Sequence, residues 1–162
     1  MPIKMLKAFL DSHYVKYLAI PHFPTYTAQE TAASADIPGR EMAKTVMVKI
    51  DGEMAMAVLP APYQIDMHLL KKSIGADSVE LAEEYEFAGM FPDCEVGAMP
   101  PFGNLFGMDV FVDRRLTEDD EIVFEAGSAT ELIKMKYMDY SRLVKPIVYS
   151  FSMEVKQFSH AA

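Results

Sequence analysis

Ile3, Leu6, Phe9, Leu10, Tyr14 and Tyr17 recur at spacings of three and four. That period collects them on one face, and it predicts an amphipathic helix over 3–18, within an N-terminal extension spanning 2–19. Pro21 ends it, and with Pro24 makes 20–26 extended chain. Thr27-Ala28-Gln29-Glu30 then offers a capping box, Thr27 accepting and Glu30 reaching back, for a short helix to about Ala35. After the break at Pro38-Gly39 the period becomes that of a strand. The runs 43–50 and 54–59 flank Asp51-Gly52, the strongest short signal for a hairpin. Asp66 is placed to cap a helix through Leu69 and Leu70, and Gly75 to stop it. A second, acidic helix is predicted over 82–91. Strand-like runs follow at 94–98, 108–113, 122–126 and 131–137. A short helix is expected after Asp139, and a closing strand at 147–157.

No repeat, low-complexity tract or Pro/Gly/Ser linker separates these elements, so one domain over 1–162 is expected. The order of elements reads as α/β, and the hairpin favours a mixed or largely antiparallel sheet. A chain of 162 residues can bury a core without disulfides or metal. No stretch approaches the ~18 uncharged apolar residues of a membrane helix, and 1–10 lacks a secretory h-region. A cytoplasmic protein with no membrane partner is expected.

Charge and cysteine usage remove several function classes. Cys94 is the only cysteine, which excludes an intramolecular disulfide and a multi-cysteine zinc site. His13, His22, His68 and His160 form no HxxxH or HxH pair, so neither a metal nor a cofactor is expected. The formal net charge of −9 argues against a DNA-coating protein, because such binding neutralises phosphates with Lys and Arg. Thirteen methionines without a tryptophan read as adaptable core filler.

Three segments have the composition of a site. Lys44 begins an apolar strand and shares a sheet face with Val46 and Val48. If those valines face the core, its ammonium is held near a partly buried site and suits a phosphate or carbonyl oxygen; the same pattern also describes a strand-end lysine that snorkels into water. Glu95 to Asn104 packs small residues, Pro100-Pro101, Gly97 and Gly103 into one shaped loop, whose backbone N–H groups can be aimed at a carbonyl or can simply turn the chain. Ala126-Gly127-Ser128-Ala129-Thr130 interrupts two strands and reads either as a donor-rich turn or as a bulge. Phosphate-loop, dinucleotide and nucleophile-elbow motifs are absent, and no Ser, His and acid form a triad. Cys94, between Asp93 and Glu95, is denied a stabilised thiolate and reads as structural. His22 is a candidate base near neutral pH or a loop-fixing hydrogen-bonder.

In this order, His22-Phe23-Pro24-Thr25-Tyr26-Thr27-Ala28-Gln29-Glu30, Ala43-Lys44-Thr45-Val46, Val58-Leu59-Pro60, Val96 to Gly103, Val112-Asp113 and Ala126-Gly127-Ser128 resemble the YbaK and prolyl-tRNA-synthetase-associated family. The similarity runs from about Tyr14 to Asp139. It implies a curved mixed sheet flanked by helices, and hydrolysis of wrongly charged tRNA, especially tRNA for proline. It also implies that Lys44 lies near the terminal adenosine or phosphate and that Gly97 helps hold the ester carbonyl. Tyr26, Thr45, Ala98, Pro100, Pro101, Phe102, Gly103, Gly127 and Ser128 would contact substrate, with His22 and Asp113 as support. In the family the proton acceptor is thought to come partly from the substrate's own ribose hydroxyl or thiol. Ser128 stands where several relatives carry a basic residue, which leaves the edited amino acid open. Contacts with tRNA should be local and weak, so a synthetase or elongation factor is a candidate partner. The other reading is a non-catalytic module that binds an amino acid, a nucleotide or a synthetase. Hydrolysis of another small aminoacyl ester is a third.

Overall fold

The computed structural model describes residues 3–21 and 37–155. Helix α1 (Lys4–Ser12) buries Leu6 and Leu10 completely. It stops well short of residue 18: Tyr14 turns the chain at φ 56° and is 94% exposed, so the helical spacing there has no core to face. The chain continues as β1 (Tyr17–Pro21). Strands β2 (Ala43–Ile50) and β3 (Glu53–Pro60) form the expected hairpin, with Asp51 and Gly52 both at positive φ. After β4 (Tyr63–Ile65) comes α2 (Met67–Ile74). As expected, Asp66 Oδ1 accepts the Leu69 N–H at 3.0 Å and Gly75 ends the helix at φ 77°.

Beyond β5 (Val79–Leu81), the predicted helix 82–91 shrinks to one turn, α3 (Glu84–Phe87), and a 3-10 turn at 88–90. Gly89 and Pro92 disfavour its continuation. Residues 94–98 are not a strand but a turn, in which the Ala98 N–H donates to Glu95 O. Then come β6 (Val110–Asp113), β7 (Glu121–Glu125), β8 (Glu131–Lys136) and α4 (Tyr137–Val144), which starts two residues before Asp139. The closing strand divides into β9 (Ile147–Tyr149) and β10 (Ser152–Glu154), which join different sheets. The helix expected near 27–35 lies outside the described residues.

The architecture is α/β with a mixed sheet flanked by helices. Five strands are ordered β5-β2-β3-β6-β9; β1-β8-β7 and β10-β4 are antiparallel. A parallel bridge between Met42 and Val123 joins the first two sheets. Because side chains alternate, one face carries Ala43, Met47, Phe124 and Ile133 into a core shared with α1 and α4. The other face carries Val48, Ala57 and Leu59 against Leu70 of α2, and Met42, Val123 and Leu132 into a smaller cluster. No helix among the described residues is long and apolar enough to cross a membrane.

Candidate active site

β2 pairs with β3 along its whole length, but its other flank pairs with β5 only over 48–50 and with β7 only at Met42. Met47 O also accepts the Ala82 N–H, so among the described residues the flank is open over 43–46, where Lys44 and Val46 stand. Lys44 is half-buried, and burial lowers its pKa, with no acid among the described residues to oppose the shift. The bridge puts Met42 and Val123 on one face, so Lys44 and Glu125, each two residues further on, share that face. The Glu125 carboxylate makes no hydrogen bond or ion pair among the described residues. Desolvation, and then the charge of Glu95, push its carboxyl up to about 7.

Glu125 leads into the Gly127 turn, and this turn is tied to the Pro-Pro loop. The Gly127 N–H donates to Ala98 O at 2.8 Å, the Glu95 N–H to Gly127 O at 2.8 Å, and the Ala129 N–H to Glu95 Oε2 at 2.9 Å. Gly127, at φ 95°, has no room for a Cβ, which would collide with Ile3 Cγ2. Gly97 is exposed at φ 90°, and its N–H faces Met99 Sδ at 3.2 Å, a weak acceptor that a carbonyl oxygen would displace.

The rest of that loop turns inward. Ala98, Pro100, Pro101, Phe102 and Gly103 are buried. Phe102 is not at a surface where substrate could meet it: its ring packs against Phe9, Phe124 and Tyr140 at 0% exposure, and the Tyr140 hydroxyl donates to Pro101 O at 2.7 Å. A Cβ on Gly103 would stand 2.6 Å from Met108 O. These residues hold the loop's shape. Thr45 points to the face opposite Lys44, the side of Ala43 and Met47. The Ser128 hydroxyl is engaged with Thr130 Oγ1 at 2.8 Å. Asp113, 1% exposed, accepts from the Phe151 and Ser152 N–H groups, the Ser152 hydroxyl and the Arg115 N–H. That makes it a clamp between β6 and β10. His22 and Tyr26 lie outside the described residues.

Sequence reasoning missed Glu125. Its signal was an acid ending the apolar run Ile122-Val123-Phe124, directly before Ala126-Gly127-Ser128. Cys94 is half-buried, and burial followed by the charge of Asp93 raises its thiol to about 11. Iodoacetamide labelling at pH 8 is therefore expected to be roughly a hundredfold slower than for free cysteine; labelling at the free rate would refute the structural role.

A hollow of about 550 Å³ near α4 is lined by Glu118, Asp119 and Asp120, a poor match for a polyanion. Another, of about 330 Å³, opens beside Lys44 between Val46, Gln64, Ile65, Met67 and Leu81.

The aminoacyl-tRNA editing domain family matches residues 22–143. The chain is 32% identical over 114 residues to the multifunctional Ser/Thr-tRNA deacylase ProXp-y of Escherichia coli K12, covering 67% of this chain and 68% of that protein. It is 33% identical over 105 residues to the proline–tRNA ligase of Staphylococcus saprophyticus, covering 63% of this chain but only 18% of the ligase. A crystal structure named for a proposed trans-editing enzyme for prolyl tRNA synthetase superposes with TM-score 0.77 at 15% identity, over 93% of this chain and 96% of that one. A crystallised hypothetical protein superposes with TM-score 0.82 at 20% identity, over 93% and 100%. At these identities the structural likeness is one of fold.

Proposed function

The chain belongs to the aminoacyl-tRNA editing domain family, and from that premise we propose that it hydrolyses, in trans, the ester joining a wrong small amino acid to tRNA, tRNA for proline foremost. One observation carries the site: Lys44 and Glu125, each partly taken out of water, lie on the sheet face that the Met42–Val123 bridge joins, and Glu125 leads into the turn locked to Ala98. In this reading Lys44 meets the ribose-phosphate, whose charge offsets the ammonium's desolvation. The Gly97 N–H turns from Met99 Sδ to the ester oxygen, where negative charge develops. Water attacks the carbonyl carbon and its proton passes to Glu125, a second acceptor beside the substrate's own groups. Collapse expels the ribose oxygen, which takes that proton and leaves free amino acid and tRNA. Ala98, Gly127 and Ser128 form the wall around the amino acid. Pro100, Pro101, Phe102 and Gly103 fix that wall from behind, and the whole of 1–162 acts as one domain.

Amino-acid release from alanyl-, cysteinyl-, seryl- and threonyl-tRNA for proline, and from alanyl-tRNA for alanine, tests the reading at sub-stoichiometric protein. Seryl and threonyl substrates follow the name of the Escherichia coli relative. Turnover of at least one is expected. Binding without turnover on the whole panel would replace the enzyme by a binding module, the reading that the net charge of −9 favours. With that charge, tRNA contacts are local, and a synthetase or elongation factor in the cytoplasm supplies further affinity.

Glu125 makes the rate depend on pH. A base must be deprotonated, so kcat is expected to rise with pH through about 7, and Glu125→Gln to flatten that limb and lower kcat about a hundredfold. Stability runs the other way. The folded pKa is raised above the ordinary 4.5, so the stability this group contributes is full below about 4.5 and is lost as pH rises through about 7. Glu125→Gln should therefore melt at a higher temperature than wild type at pH 8, while working more slowly. Unchanged kcat and pH profile would remove Glu125 from the mechanism.

A further inference from the structure

Glu95 takes no part in breaking the ester, yet it is bonded to both turns of the site. Its carbonyl accepts from the Ala98 N–H at 3.0 Å, Ala98 O accepts from the Gly127 N–H at 2.8 Å, and Gly127 O accepts from the Glu95 N–H at 2.8 Å. These bonds close a ring that joins the turn carrying Gly97 to the turn that follows Glu125. The ring is made of backbone, so many residues at this position could form it. The side chain adds a further bond: Oε2 accepts the Ala129 N–H at 2.9 Å, across 34 residues of chain. A carboxylate makes that bond stronger than a neutral acceptor would, and the Gly127 turn is thereby held on both sides of the glycine.

The side chain also carries a charge. Among the described residues, the titratable groups brought around Glu125 are Lys44 on β2, Glu131 at the start of β8, Cys94 and Glu95 of the loop, and Lys4, where α1 begins beside Ala126. Of these, Glu95 is the one whose charge adds to desolvation in raising the Glu125 carboxyl. We propose that Glu95 is a positioning residue for the hydrolysis, its peptide group and carboxylate together fixing the turn that presents Gly97 against the turn that follows Glu125. This deepens the deacylase reading and rests on it. Donor and proton acceptor work on one ester, and a misplacement of about 1 Å between such groups costs as much as ~10²-fold in rate.

Two variants separate the bond from the charge. Glu95→Gln keeps an oxygen for the Ala129 N–H and removes the charge, whereas Glu95→Ala removes both. At pH 8, where Glu125 is mostly ionised, Glu95→Ala is expected to lower the single-turnover rate about tenfold, part of that cost of misplacement, and Glu95→Gln to recover most of the loss. The pH profile should respond to the charge instead. Without a negative neighbour the Glu125 carboxylate forms more easily, while desolvation still holds its pKa above the ordinary 4.5. The limb that rises through about 7 should therefore move to lower pH, and at pH 6 Glu95→Gln should be faster than wild type. A purely structural residue would leave that limb in place.

Glu95 is exposed, so both variants should fold, as their melting temperatures would show. A wild-type rate in Glu95→Ala at pH 8, no recovery in Glu95→Gln, or an unmoved limb overturns the proposal. If wild type releases no amino acid from any charged tRNA, the deacylase reading falls, and amide hydrogen exchange then reads the hold on the turn directly. Exchange at the Ala129 N–H about tenfold faster in Glu95→Ala than in Glu95→Gln supports it; equal exchange ends it.

Discussion

Lys44→Ala is expected to lower the rate of deacylation by about 10²–10³, the cost of an ester left misplaced when its ribose-phosphate anchor is lost, and to leave the melting temperature almost unchanged. The lysine sits half-buried with its pKa lowered by burial and without an acid to pair with among the described residues. It therefore adds little to folding, and its removal strands no partner. Lys44→Met keeps the apolar stem and removes only the charge, so it should be as slow as Lys44→Ala. Single-turnover rates at saturating substrate, with thermal melts on the same samples, decide the matter. A wild-type rate in either variant removes Lys44 from the chemistry. A fast Lys44→Met beside a slow Lys44→Ala would mean that packing, not charge, is what the residue supplies.

Asp113→Ala should produce the largest loss of stability, on the order of 3 kcal/mol or more, because it leaves the buried Phe151 N–H and its neighbours without an acceptor. For a chain of this size that is a drop of roughly 6–12 °C in melting temperature. The damage should spread through Ser152, whose hydroxyl also accepts from Arg115 Nε at 3.0 Å, and through Arg115, which lies over the Tyr63 ring at 4.4 Å. Well below its melting point, the variant should retain kcat. The reverse pattern, a fall in kcat with melting unchanged, would place Asp113 in the active site and contradict the clamp.

The elements that local chemistry encodes are the ones the chain announces. Asp51-Gly52 meets its φ requirement within the turn itself, and Asp66 and Gly75 cap α2 through bonds three and four residues away. The three-residue strands β4, β5 and β10 show no period, since a period needs more repeats than they contain. The run 94–98 had the composition of a strand but no partner to pair with, and the bonds from Glu95 to Gly127 and Ala129 close it into a turn.

The site divides in the same way. Composition alone marked Gly97 to Gly103, Lys44 and Gly127-Ser128 as unusual, and the alternation of a strand put Lys44 on the face of Val46 and Val48. The order of the matched segments along the chain carried the family and its activity. Tertiary structure alone decided that Phe102 belongs to the core, that Asp113 clamps β10, and that Gly127 bonds to Ala98. It also decided that Glu125 is taken largely out of water. Those outcomes depend on burial and on neighbours tens of residues away, such as Glu95 beside Glu125. Propensity and periodicity report on a few adjacent residues, while desolvation and charge coupling belong to the assembled surface.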